Sequence, residues 1–119
     1  MCTMPYKRGE VLLVLFPNTN LQTAKRRPAL VIQVDNPGTN LPQTILAMIT
    51  SNLTRAGHPS RVVIRQNSTA GLQAGLLTDS VVMTDNIVTV LENAIDRSLG
   101  QIQDMSDVDL ALKYTPGLP

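Results

Sequence analysis

The chain has 119 residues, a formal net charge of +1 and a single cysteine, Cys2. A chain of this length suits one domain, which would bury roughly two thirds of the surface that its unfolded form exposes. A single cysteine excludes an intrachain disulfide, and no apolar run approaches the ~18 residues that a membrane span needs. We therefore expect one cytoplasmic domain over residues 1–119, with a flexible tail at residues 1–6 and no contact with a membrane.

Charge is distributed unevenly along the chain. The first 66 residues carry eight basic and two acidic side chains, whereas residues 67–119 carry two basic and seven acidic ones. Such asymmetry favours a polyanion or an acidic protein as the partner of the basic half. By itself it indicates binding rather than catalysis.

Short apolar runs bounded by turn residues predict that most of the chain forms strands. The first run, from Gly9 to Phe16, is apolar at both alternating positions, which is typical of a strand covered on both faces. A loop of about ten residues follows it. Residues 92–99 are expected to form one helical turn. The other strands are expected at 28–34, 44–51, 61–65, 80–84 and 87–91, with an interruption at Asp85-Asn86 between the last two.

The end of the chain predicts a helix. Ser106 is expected to cap it, and Asp109, three residues later, to complete a capping box. Its apolar residues lie on one face at helical spacing, as in a helix that packs on a sheet: Val108, Ala111 and Leu112. Gly71 and Gly75 are expected to bracket a turn-rich stretch. About six short strands with one late helix predict a mainly β fold, a small curled sheet or barrel.

Three consecutive cations, Lys25, Arg26 and Arg27, lead into Pro28 and a second apolar run. Proline cannot donate to a sheet ladder but is tolerated at the first residue of a strand, so we expect the strand to begin at Pro28. A guanidinium presents a planar fork of donors that suits phosphate and carboxylate oxygens, and it stays protonated. The junction therefore predicts an anion site. The alternative is a solvated loop end that only keeps the protein soluble.

Polar side chains close the third predicted strand at Thr50, Ser51 and Asn52, which makes this strand end a second candidate for a site. The single histidine, His58, lies in a loop with glycine and proline and is expected to be a surface residue. No cluster of His, Cys and Asp has the spacing of metal ligands, so we expect no metal and no other cofactor. With three aromatic residues in the chain, base recognition would rely on loop amides and arginines.

Six segments, taken in order, carry a resemblance to a known family: Arg8–Val11, Phe16–Leu21, Lys25–Val31, Ile49–Ser51, Leu77–Val82 and Thr84–Val90. Together they resemble the MazF/PemK-type toxins of bacterial type II toxin–antitoxin systems. Each segment is a weak signal alone, but their order over residues 8 to about 112 is specific.

The resemblance implies a small SH3-like barrel of the CcdB/MazF type with a C-terminal helix. It also implies a homodimer that is neutralised by a cognate antitoxin protein and binds DNA together with it. The implied activity is metal-independent cleavage of single-stranded RNA at short sequence motifs, in which the RNA's own 2′-hydroxyl attacks the adjacent phosphorus. Two alternatives stay open. One is a non-catalytic inhibitor like the gyrase-poisoning CcdB toxins, and the other is an inactive relative that binds RNA without cutting it.

Matched position by position, the resemblance implies catalytic roles for Arg27 and Thr50, whose fork and hydroxyl would hold the phosphoryl oxygens where charge develops. Asp85 is a third catalytic candidate, either as a proton acceptor or as the residue that orients Arg27, although a simple turn residue would look the same. The candidates for substrate binding are Gln22, Lys25, Arg26, Ser51 and Asn52. Met83 departs from the family, because some members carry an arginine there and a thioether cannot stabilise charge.

Overall fold

A computed structural model describes residues 6–17, 24–33 and 43–114. Its strands and helices are, in chain order, β1 (Glu10–Pro17), β2 (Ala24–Val31), β3 (Gln43–Thr50), β4 (Arg61–Ile64), α1 (Thr69–Ala74), β5 (Ser80–Leu91), β6 (Ile95–Gln101) and α2 (Ser106–Tyr114). Short 3₁₀ turns lie at Leu53–Arg55 and Glu92–Ala94. Within these described ranges, no helix has the length and apolar character to cross a bilayer.

The six strands form one antiparallel sheet in the order β4-β5-β3-β2-β1-β6. This architecture confirms the predicted mainly β fold with a C-terminal helix. The sheet curls without closing, because β4 and β6 are its edges and do not pair with each other in the part of the chain that the structure describes. Helix α1, which follows β4, packs against β6 at the opposite edge, and α2 packs on β4 and β5.

Both faces of the sheet are apolar, as the pattern of the first strand predicts. One cluster gathers alternate residues of the strands with the helices: Val11, Leu30, Ala47, Ile49, Ile64, Ala74, Leu76, Val82, Ile102 and Val108. The other gathers the intervening positions of the first three strands: Leu12, Val14, Ala29, Val31, Leu46 and Met48. Because successive side chains of a strand point to opposite faces, a slip of one residue would exchange the two sets, and each cluster would then have to pack the side chains of the other.

Contact between α1 and β6 depends on two glycines. Gly75 ends α1 with a φ of +69°, and a Cβ there would meet the Leu99 carbonyl oxygen at 2.3 Å. A Cβ on Gly100 would meet the Gln73 carbonyl oxygen at 2.1 Å. The stretch expected to be turn-rich therefore contains a short helix, which the Ser68 side chain caps by accepting from the Gly71 N–H. Its six residues are too few for helical periodicity to identify it from sequence.

Strand β2 begins earlier than predicted. It starts at Ala24, so the three cations lie within the strand and pair with β1, with Arg27 opposite Val14 and Arg26 opposite Leu15. Strand β5 also continues through Asp85 and Asn86, where the prediction placed an interruption; only its pairing with β3 is interrupted there.

Residues 92–99 and the start of α2 also differ from prediction. Of residues 92–99, only Glu92–Ala94 turn, because the residues from Ile95 onwards join β1 as β6. At α2, Ser106 is not the cap. Its backbone N–H donates to the Asp104 carboxylate at 3.0 Å, whereas Asp109 accepts a hydrogen bond from the Arg8 guanidinium.

Candidate active site

The site begins where β2 and β3 part. The Ile32 N–H donates to the Ile45 carbonyl oxygen on β3, at 3.1 Å. Every second residue of a strand directs its N–H to the same neighbour, so position 28 also faces β3. Pro28 has no N–H to offer, and the pairing of β2 with β3 covers only Ala29–Val31. On the N-terminal side of Pro28, β2 and β3 therefore diverge.

One groove, which we call the basic groove, opens at this divergence and has a volume of about 390 Å³. Its cations come from β2 and β6: Lys25, Arg26, Arg27 and Arg97. Hydroxyls line it from the end of β3 and the start of β5: Thr50, Ser51, Thr78 and Ser80. Leu13, Pro28, Ile49, Leu76, Leu77 and Leu99 supply its apolar surface. Four cations and four hydroxyls around one concave surface suit a polyanion with oxygen acceptors.

A second groove of about 290 Å³, the methionine groove, is lined by Met48 and Met83 together with Asn86. It shares Arg27, Ile49 and Thr50 with the basic groove. Arg27 and Thr50 therefore lie between the two grooves, on the two strands that diverge. Met83, the residue at which the sequence departs from the resemblance, lies beside them, so this position is apolar within the site.

Arg27 is exposed and makes no hydrogen bond or ion pair with the residues that the structure describes. Its neighbour Arg26 lies on the other face of the strand, where its Nε is 3.4 Å from an Asp96 carboxylate oxygen. A guanidinium that is held on a strand, with its donors unused by the described residues, can direct them at an anionic ligand.

Thr50 is half-buried, and its hydroxyl oxygen accepts from the Asn52 N–H at 3.1 Å. The hydroxyl hydrogen is therefore free to point into the groove. The Asn52 side chain is used differently, because its Oδ1 accepts from the Thr54 N–H at 3.2 Å and from the Thr54 hydroxyl at 2.6 Å. Ser51 lines the basic groove, whereas Asn52 shapes the 3₁₀ turn beside it.

Asp85 lies apart from the two grooves. It belongs to a bulge in β5, since Ile87 pairs with Ala47 but Met83 already pairs with Met48. Both of its carboxylate oxygens accept from Arg61, at 2.8 Å each. These hydrogen bonds lower the pKa of Asp85, and the same pairing raises the pKa of Arg61. Of the bulged residues, Asn86 reaches the methionine groove.

Sequence reasoning missed four polar groove residues: Thr78, Ser80 and Arg97 of the basic groove and Asn86 of the methionine groove. Arg97 was not selected because only the pairing of Leu13 with both Pro28 and Arg97 brings β6 beside the cations of β2. The sequence predicts Asn86 only as part of an interruption between two strands. Gln22 lies outside the residues that the structure describes.

His58 lines neither groove. Its Nδ1 lies 2.6 Å from the Ser60 hydroxyl and accepts from the Ser60 N–H at 3.2 Å, and its ring meets Tyr114 edge to face. Among residues 6–17, 24–33 and 43–114, no three His, Cys, Asp or Glu side chains are grouped as a metal site would require.

Comparison with known proteins identifies the family. A family described as "PemK-like, MazF-like toxin of type II toxin-antitoxin system" matches residues 7–115. Endoribonuclease MazF6 of Mycobacterium tuberculosis is 36% identical over 114 residues, covering 92% of this chain and 96% of that protein. Endoribonuclease MazF of Staphylococcus saprophyticus is 30% identical over 115 residues, covering 94% and 92%.

Solved structures share the fold. A mycobacterial endoribonuclease in complex with its cognate antitoxin superposes with a TM-score of 0.72 at 21% identity, over 96% of this chain and 97% of that one. The MazE-MazF complex of Deinococcus radiodurans gives a TM-score of 0.71 at 19% identity, over 98% and 100%. With a family match over nearly the whole length and curated relatives of the same length, the chain belongs to the PemK-like, MazF-like toxins of type II toxin–antitoxin systems.

Proposed function

We propose that this protein is the toxin of a toxin–antitoxin pair and a metal-independent endoribonuclease, which cuts single-stranded RNA at short sequence motifs. The observation that carries the proposal is the position of Arg27 and Thr50 between the two grooves, on strands that diverge at Pro28. The curated relatives, which are named endoribonucleases, support the same activity and not the alternative of a gyrase inhibitor.

In the proposed reaction, the 2′-hydroxyl oxygen of the RNA forms a bond to the adjacent phosphorus and the bond from phosphorus to the 5′-oxygen breaks. The 2′-hydroxyl loses its proton and the leaving 5′-oxygen gains one, which yields a cyclic phosphate and a free 5′-hydroxyl. Negative charge builds on the non-bridging oxygens. The guanidinium of Arg27 would donate to both of these oxygens, and the Thr50 hydroxyl would donate to an oxygen of the same phosphoryl group.

Asp85, the third catalytic candidate, suits a positioning role better than proton transfer. A carboxylate whose pKa is lowered by two hydrogen bonds from Arg61 is a weak proton acceptor. Pairing with Arg61 on β4 holds the β5 bulge, and the bulge presents Asn86 to the methionine groove. We therefore propose that Asp85 maintains the shape of the site and does not transfer a proton.

Substrate binding is assigned to the basic groove. Lys25, Arg26 and Ser51 line it and would contact the RNA backbone, while Asn52 would act through the turn that it caps. Gln22 remains a candidate from the sequence resemblance. The same groove would accept an acidic segment of the cognate antitoxin, since two similar structures contain their antitoxins.

A homodimer is also proposed. Ile45, Ile87 and Leu91 expose 37%, 46% and 50% of their surface and are neighbours across the pairing of β3 with β5. An apolar patch on a sheet face is a suitable interface for a second copy. Sedimentation of the purified protein at micromolar concentration tests this assignment, which a monomer would contradict.

The activity is tested by incubating the purified protein with a long RNA in the presence of a chelator and mapping the new 5′ ends. Discrete cuts with 5′-hydroxyls are the expected result. Intact RNA together with altered supercoiling by gyrase would indicate the inhibitor. A salt-sensitive gel shift without cuts would indicate an inactive RNA-binding relative.

A further inference from the structure

Strand β6 is bent where it passes the basic groove. Its pairing with β1 shifts twice, between Val11 and Leu12 and between Leu13 and Val14. The two shifts leave Leu99 and Asp96 without an opposite residue, on either side of Arg97. Bulges re-aim side chains, and they are common beside active sites. Here Arg97 and Leu99 both line the basic groove.

Arg97 is paired loosely. Its Nη1 lies 3.9 Å from an Asp96 carboxylate oxygen, and the same oxygen lies 3.4 Å from the Arg26 Nε. Arg97 and Arg26 expose 68% and 61% of their side chains. One carboxylate between two arginines leaves a net positive charge. Exposed ion pairs of this kind are weak, so an anion that binds more tightly can displace the carboxylate. A phosphate offers more acceptor oxygens and more charge than the carboxylate.

We propose that Arg97, with Arg26 beside it, binds a phosphodiester of the RNA that flanks the one to be cut. This inference rests on the proposed function, since it names a second contact for the same substrate. Arg27 on the diverging strand serves the reacting phosphate, and Arg97 on β6 extends the cationic surface away from it. A contact made equally to bound substrate and transition state changes affinity and not turnover.

The test uses a 20-nucleotide single-stranded RNA of mixed sequence, 2′-O-methylated throughout so that it cannot be cut. Binding is followed by fluorescence anisotropy over a series of salt concentrations. Arg97→Gln should weaken binding about three- to tenfold and lower the salt slope by roughly 0.7, the loss of one phosphate contact on a single strand. Arg97→Lys should restore affinity to within about twofold, because a point charge still reaches a phosphate.

Arg65→Gln is the matched control. Arg65 also exposes 60% of its side chain and also pairs with one aspartate, Asp79, at 3.2 Å, but it lies outside both grooves. The Arg65→Gln variant should leave the affinity for RNA and the salt slope unchanged. On RNA that the wild type cuts, Arg97→Gln should raise KM about three- to tenfold at constant kcat.

Three results would overturn the inference. If wild type and Arg97→Gln bind with the same affinity and slope while the wild type still cuts RNA, only this second contact is wrong. A fall in kcat as large as the rise in KM would move Arg97 to the reacting phosphate. If the wild type neither binds nor cuts RNA, the proposed function fails together with the inference.

Discussion

Replacing Arg27 with lysine separates a catalytic arginine from one that only attracts RNA. Arg27→Lys keeps the positive charge and removes the planar fork. If Arg27 stabilises the phosphoryl oxygens in the transition state, turnover should fall by about two to three orders of magnitude, as when a preorganised oxyanion donor is lost. Affinity for RNA should change far less, because the charge that attracts the backbone is retained.

The structure also predicts that this variant folds normally. Arg27 is exposed and has no ion pair with the described residues, so the free energy of unfolding should stay within about 0.5 kcal/mol of the wild-type value. Loss of activity would then be a loss of chemistry rather than of structure. Urea unfolding of both proteins checks this point.

Single-turnover cleavage of an RNA with one mapped site measures the chemical step, and anisotropy with uncleavable RNA measures binding. Arg65→Lys provides the control for charge, because Arg65 is exposed and outside the grooves. Arg61 would be a poor control, since it makes two hydrogen bonds to Asp85 and exposes only 17% of its side chain. Wild-type cleavage by Arg27→Lys would refute the catalytic assignment, and equal losses of binding and cleavage would indicate positioning instead.

Three further predictions concern the Thr50 hydroxyl, the end of α1 at Gly75 and the ion pair between Asp85 and Arg61. Thr50→Val should lower single-turnover cleavage at least about tenfold while costing less than about 1.5 kcal/mol in urea unfolding, because the lost structural contact is one hydrogen bond from the N–H of Asn52, an exposed residue. Gly75→Ala should destabilise by at least about 1 kcal/mol more than Gly57→Ala in the same assay; both glycines have positive φ, but only at Gly75 would the Cβ meet a backbone oxygen, at 2.3 Å. The pKa of Asp85 lies below its ordinary value of 3.8, so its pairing with Arg61 stabilises the fold above that pH and is lost as pH falls through the lower folded value. Unfolding measured between about pH 2 and pH 6 should show this acid-dependent loss in the wild type and less of it in Arg61→Gln.

The sheet was predictable from sequence because its main signal is local. Apolar residues at both alternating positions mark β1 and β3 without knowledge of their partners. The start of β2 was not predictable in this way, since Lys25, Arg26 and Arg27 have no strand pattern of their own. They are extended because β1 pairs with them. Tertiary pairing overrides local preference at that point.

The candidate site also contains residues with a local sequence signal and residues that only tertiary pairing brings together. Arg27 and Thr50 could be selected from adjacent residues, a proline after one and a strand end at the other. The partner of Asp85 is 24 residues away, and nothing in the spacing indicates that Arg61 binds it. Arg97 enters the groove only through the order of strands, in which the last strand lies beside the first.

That order of strands has a consequence for synthesis of the toxin on the ribosome. The basic groove takes Arg27 from β2 and Arg97 from β6, and β6 can join the sheet only by pairing with β1. Arg97 follows Arg27 by 70 positions, which take about 4 to 14 s to translate at ordinary elongation rates. During that interval the nascent chain has Arg27 but lacks strand β6 and its Arg97. The complete basic groove is therefore assembled late, after nearly the whole polypeptide has been made.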